Sequence, residues 1–366
     1  MARRPPIGYI QDMKVHIQIF CLTVLFGGCT MADGAEPKPR AEALASDREL
    51  IILAAPGTDG YYTAVQDDIV DFHIRYASKI AEADDVIVLT GQALHARYVA
   101  ALGEDHVALA PMSDIWIRDF ATLNAASPVM MRYSAAGQGG GRKGQRDADF
   151  VQEQLASLIG AAGVSGPESD LINDGGNFVD DYQGRVVLSR KFLRDNDLTE
   201  SEGRTAIIAE TGAGHVAFIE ADEQGGLEHA DGVVAFVGPN RLVINHYPED
   251  PAYAAQLKAD LRAGLPGVEI HEIITPYDGS QIYDSRFGSA CGLYTNMLVT
   301  PSRIYFPQFG IPEDAAALQQ FRSWTDLDVI PVQSEQVCQM GGGVRCMSWQ
   351  VRGEMAARLK TYLQDQ

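Results

Sequence analysis

Short β-branched runs that alternate with amphipathic stretches constrain this chain most. ELIILAAP at 49–56, VIVLT at 86–90 and HVALAP at 106–111 are too short for stable helices and rich in strand formers. The runs continue as PVMMRY, RVVLS, TAIIA, GVVAFV, RLVIN, YTNMLV and RIYFP. Between them lie stretches of helical periodicity. Across 63–83, Val65, Ile69, Phe72 and Ile80 fall on one face. Further helices are predicted over 149–162, 251–263, 313–323 and 353–363. Strands alternating with helices specify an α/β protein. The chain has 366 residues, 46% of them hydrophobic, which is enough for a large core. No long linker follows residue 48, so 49–366 is expected to be a single catalytic domain.

The first 48 residues are of another kind. Lys14 precedes an apolar run over 15–28, VHIQIFCLTVLFGG, which ends at Cys29. A positive end, a short apolar core and small residues at the cut describe a secretory signal over 1–28. The FGGC ending resembles a bacterial lipoprotein signal, which implies lipidation of Cys29 and anchoring to a membrane. Residues 29–48 are polar and carry two prolines, as a tether would. The expectation is an exported protein, periplasmic or membrane-anchored.

The net charge is −20, from 49 acidic and 29 basic residues. Nucleic acid is a disfavoured partner and a cationic substrate a favoured one. No HExxH and no paired cysteine spacing is present, so no metal site is expected. RDNDLTESE at 194–202 begins like a calcium loop but lacks the glycine and glutamate that such a loop needs.

Several residues carry chemistry. Gly341, Gly342 and Gly343 lead to Cys346, a thiol placed as a nucleophile in a cleft would be. In SDIWIRDFATLN (113–124), an extended chain puts Asp114, Trp116 and Arg118 on one side and Asp119 on the apolar side. A carboxylate there needs a partner. INDGGNFVDD (172–181) offers Asp174 ahead of two glycines, as a hairpin turn or as a site. His229 and Asp231 are two apart at a strand entrance, an acid/base arrangement on one face. His215 lacks such a partner. The glycine-rich stretch 137–146, GQGGGRKGQR, reads as a loop bearing Arg142, Lys143 and Arg146.

Together these pieces resemble the agmatine deiminases and the related bacterial peptidylarginine deiminases of the pentein superfamily. WIRD (116–119), DGGN (174–177), HADGVVAFVGP (229–239), YTNMLV with PQFG (294–299, 307–310) and GGGVRC (341–346) follow the family's order. The resemblance implies a five-bladed pseudo-symmetric α/β propeller of ββαβ modules. It implies hydrolysis of a guanidinium to a ureido group and ammonia, without cofactor or metal. Cys346 would attack the guanidinium carbon, Asp119 and Asp231 would grip the cation, and His229 would act as acid and base. Trp116, Asp174 and Asn296 would line the substrate, with Arg142, then Arg146, holding a substrate carboxylate. Peptidyl or free arginine is then the expected substrate, with agmatine as the alternative. An amidinotransferase and a non-catalytic arginine-binding lipoprotein are the remaining readings. This chain departs from the pattern at Arg345, where histidine is common, at Glu228, where glycine is usual, and at Asp174, which replaces glutamate. Residues 212–228 read as an insertion.

Overall fold

The first strand of the described residues is β1 (Leu50–Ala54), every residue of which is buried. The structure, a computed structural model, describes residues 48–366 except 59, 165, 167, 223–226 and 281. The predicted signal and nearly all of the predicted tether lie outside the described residues.

α1 (Gln66–Ala81) follows β1 and buries Ile69, Val70, Phe72, Tyr76, Ala77 and Ile80, the stripe that its periodicity predicts. Each such side chain contributes about 1.5–3 kcal/mol when fully buried. β2 (Asp85–Thr90) then pairs parallel with β1, and after α2 (Gln92–Leu102) β3 (Val107–Leu109) pairs parallel with β2. The one-turn helix α3 (Ile117–Phe120) leads to a bridge between Leu123 and Val129. β4 (Met130–Arg132), α4 (Gly141–Ala161) and β5 (Glu168–Ile172) form the second unit, with β4 and β5 parallel.

The next three units repeat one plan, a short hairpin, a helical crossover and a parallel return. β6 (Val179–Asp180) and β7 (Arg185–Ser189) are antiparallel, α5 (Lys191–Asp195) and α6 (Glu200–Thr211) cross over, and β8 (His215–Ile219) lies parallel to β7. β9 (Val234–Gly238), β10 (Arg241–Asn245), α7 (Pro251–Gly264) and β11 (Glu269–Ile273) do the same. So do β12 (Leu298–Val299), β13 (Arg303–Gln308), α8 (Asp314–Arg322) and β14 (Asp328–Gln333). β15 (Trp349–Val351) then pairs antiparallel with β1, and α9 (Gly353–Gln364) follows. The late strand thus completes the first sheet, giving five small sheets. This matches the five ββαβ modules expected of a pentein fold.

Three local expectations are corrected. TAIIA lies inside α6, not in a strand. Thr199 and Glu202 form a reciprocal capping box and Gly212 takes the left-handed C-cap, so the helix signals override the β-branched run. Within 212–228, which read as an insertion, His215–Ile219 form β8, an integral strand of its sheet. The stretch 137–146 is not a loop throughout: the 3-10 turn Ala136–Gln138 runs into α4, which takes in 141–146. A side chain at Gly144 would meet the Ala135 carbonyl oxygen at 2.9 Å, so this glycine serves close packing. WIRD is not extended. It closes one helical turn, with Ile117, Arg118, Asp119 and Phe120 all buried.

Candidate active site

Each functional residue sits in a short turn just ahead of the first strand of a unit. Asp119 belongs to α3, before the Leu123 bridge. Asp174 precedes the 3-10 turn Gly175–Asn177 and β6, and His229 precedes the turn Ala230–Gly232 and β9. Asn296 precedes β12 and Cys346 precedes β15. The sheets thereby deliver one segment each to a common centre.

The glycines let these segments meet. A Cβ on Gly176 would lie 2.4 Å from His229 Nδ1, and one on Gly342 would lie 2.4 Å from the Trp116 ring. The Gly176 N–H donates to Asp119 Oδ1 at 3.0 Å. The Arg118 N–H donates to the carbonyl of Cys346 at 3.2 Å, tying the WIRD turn to the thiol segment.

His229 Nε2 pairs with Asp174 Oδ2 at 3.0 Å, and its Nδ1 lies 3.8 Å from Asp119 Oδ1. Asp174 is fixed in turn by the Ser134 N–H and hydroxyl, both at 2.7 Å. Burial by itself would lower the His229 pKa, but Asp119 and Asp174 outweigh it and raise it to about 9. Burial would raise the Asp174 carboxyl, yet the histidine pairing leaves it below its ordinary value. Burial also raises Asp119, and the neighbouring carboxylates add to that. The sequence pairs His229 with Asp231 on a strand entrance. The structure instead puts a 3-10 turn there, joins His229 to Asp174, and pairs Asp231 Oδ2 with Arg345 Nη1 at 2.8 Å.

Cys346 is a free, buried thiol, whereas Cys291 and Cys338 form a disulfide. Asn296 touches this thiol: its Nδ2 donates to Cys346 Sγ at 3.2 Å. Burial, then Asp231 and Asp119, push this thiol well above its usual range. A cation brought among these groups would oppose the carboxylates' part of that shift.

A narrow cavity of about 20 Å³ opens onto Cys346 and Asp119. Trp116, Tyr133 and Phe287 supply aromatic walls, and Leu227 and Met340 add apolar surface. The sequence pointed to neither Tyr133, Phe287 nor Ser134. Their positions depend on contacts between distant segments, which leave no local pattern. Arg142 and Arg146 are exposed on α4 and neither lines the cavity. Among the described residues no cluster of three metal-ligating side chains occurs.

Comparison with known proteins agrees with this arrangement. The family model for the Porphyromonas-type peptidyl-arginine deiminases matches residues 41–351. The protein of Lactococcus lactis named "Putative agmatine deiminase" is 25% identical over 212 residues, 50% of this chain and 57% of that one, so the match spans little more than half of that relative. The Shewanella baltica (strain OS195) protein of the same name is 24% identical over 286 residues, 67% of this chain and 76% of its own. The solved agmatine deiminase of C. jejuni superposes with a TM-score of 0.68 at 16% identity, covering 84% of this chain and 94% of that one. That of Enterococcus faecalis gives 0.67 at 18% identity, covering 83% and 93%. With a thiol, a histidine–carboxylate pair and a second carboxylate brought together on this fold, the chain belongs to the Porphyromonas-type peptidyl-arginine deiminase family.

Proposed function

We propose that this protein hydrolyses the guanidinium of a small aliphatic amine of the agmatine type, giving a ureido product and ammonia. The observation that carries this reading is the cavity itself. It presents Cys346 and Asp119 between aromatic walls, and among the described residues its lining includes no arginine or lysine to hold a substrate carboxylate. Agmatine needs no such cation, whereas arginine does. The relatives that carry the agmatine deiminase name support the same choice, and the net charge of −20 favours a dication.

In this reading the guanidinium binds against Asp119 and Asp231, and its charge favours the Cys346 thiolate. Sγ adds to the guanidinium carbon. A C–N bond then breaks, and ammonia leaves with a proton from His229, whose raised pKa keeps it protonated. The thiouronium that remains is attacked by water, which gives a proton to His229. The C–S bond breaks, returning the thiolate and releasing the ureido product. His229 Nε2 is committed to Asp174, so Nδ1 is the nitrogen that handles these protons.

A second reading, an arginyl peptide as substrate, rests on the description of the matching family model. A panel of agmatine, free arginine and arginyl peptides, scored by ureido product, separates the two. Agmatine should give the highest kcat/KM, and Cys346→Ser should leave no more than a few per cent of it. Preference for an arginyl peptide would move the assignment to the second reading. No ureido product from any of them would overturn both.

A further inference from the structure

The residue before the nucleophile is an arginine with a side chain about nine-tenths buried, and it lies outside the cavity lining. Arg345 Nη1 donates to Asp231 Oδ2 at 2.8 Å and to the Gly175 carbonyl at 3.3 Å. Its Nη2 donates to the Phe178 carbonyl at 2.6 Å. Gly175 and Phe178 bracket the turn whose Gly176 N–H holds Asp119, and that turn follows Asp174 directly. Asp231 is two residues beyond His229. One guanidinium therefore reaches the segments that carry the other functional groups, while its own backbone carries the thiol.

The charges close in a simple way. Around the thiol stand the carboxylates of Asp119, Asp174 and Asp231, protonated His229 and Arg345. Between about pH 7, where the raised Asp119 ionises, and about pH 9, where His229 loses its proton, three negative and two positive groups leave one negative charge, the complement of a single guanidinium. Farther out, Arg118 and Asp180 offset one another, Lys191 beside Asp174 is paired with Asp195, and Tyr133 stays neutral. Without Arg345 the surplus would be two, and Asp231 would be a buried carboxylate without its partner, which is costly.

We propose that Arg345 is the positioning residue of this site. It pins Asp231 by one oxygen, leaves the other oxygen for substrate, and fixes the charge of the buried cluster so that one guanidinium balances it. The inference deepens the deiminase reading and rests on Cys346 as its nucleophile.

The test uses three variants of the full chain: Arg345→Met, Arg345→Lys, and Arg345→Met combined with Asp231→Asn. The rate of Cys346 alkylation by iodoacetamide, an uncharged reagent, is followed by mass spectrometry across pH 7–9. The Met variant should react about tenfold more slowly, since the unshielded Asp231 opposes the thiolate. A merely loosened fold would expose the thiol and speed alkylation, the opposite sign. The Lys variant keeps the charge and should alkylate within about twofold of the parent, yet lose about tenfold in kcat on agmatine, because an ammonium lacks the fork that spans Asp231 and two carbonyls. The double variant should recover the parent's alkylation rate. An unchanged or faster rate in Arg345→Met, or a double variant as slow as the single, overturns the proposal. If Arg345→Met does not fold, a Lys variant that alkylates tenfold more slowly overturns it as well. Alkylation needs no substrate, so a chain that turns over none of the guanidines defeats the functional reading while leaving this one standing.

Discussion

Gly176 has room for no side chain. A Cβ there would crowd His229 Nδ1 at 2.4 Å and Asp119 Oδ1 at 2.9 Å. Gly176→Ala must therefore displace His229, the proposed acid and base, or the Asp119 carboxylate. The expected result is a fall of about 100-fold in kcat/KM with native circular dichroism, since small displacements of aligned groups are expensive. Parent-like kinetics would show that His229 does not work from this position. At this scale the sequence revealed the residue types but not their partners. Spacing coupled His229 to Asp231, two positions away, whereas the actual partners are Asp174, 55 positions away, for His229 and Arg345, 114 away, for Asp231. Hydrogen bonds across such separations are set by sheet packing, which no local pattern encodes. Arg345 was visible only as a departure from histidine. Arg142 and Arg146 misled because charge amid glycines looks like a ligand loop, while here it opens a helix.

The helices that show a strong apolar stripe or a proline or glycine boundary, α1, α7, α8 and α9, were legible to within a few residues. Strands such as EIHEI of β11 and ESDLI of β5 were not, because each is half-exposed and polar at every other position or more. The turns that carry the site were equally opaque, since no residue type is common to all three of IRDF, GGN and ADG. The disulfide acts on these turns. Cys291 stands ahead of Asn296 and Cys338 ahead of the glycines, so the 47-residue loop it closes joins the segments of Asn296 and Cys346. Cys338→Ser should cost about 4 kcal/mol of stability by the loop-entropy relation. Denaturant unfolding of parent and variant measures this, and a loss under about 1 kcal/mol would show that the bridge constrains little.

Across the whole molecule, buried acids make stability depend on pH. Burial raises Glu49 to about 7 and, with Asp181 adding to it, Asp180 to about 6. His229 is raised to about 9. A group with a raised folded pKa binds its proton more tightly in the native state. Its contribution is fully present below the unfolded pKa and is lost as pH rises through the folded one. For Glu49 that window runs from about 4.5 to 7 and is worth about 3 kcal/mol; for His229 it runs from about 6.5 to 9. Tm should therefore be higher near pH 5.5 than near pH 8.5, and Glu49→Gln, which keeps an acceptor for the Tyr182 hydroxyl, should flatten the lower part of that slope. A parent Tm that rises from pH 5.5 to 8.5 would contradict this.

β15 lies beside β1, with Trp349 opposite Ile52, and Cys346 comes just before it. Strands almost three hundred residues apart in sequence must meet before the Cys346 thiol has its place, and such distant pairings form slowly. On the ribosome the acids and the histidine emerge before the thiol. A nascent chain that has not yet reached β15 therefore holds the carboxylates and the histidine without a thiol beside them.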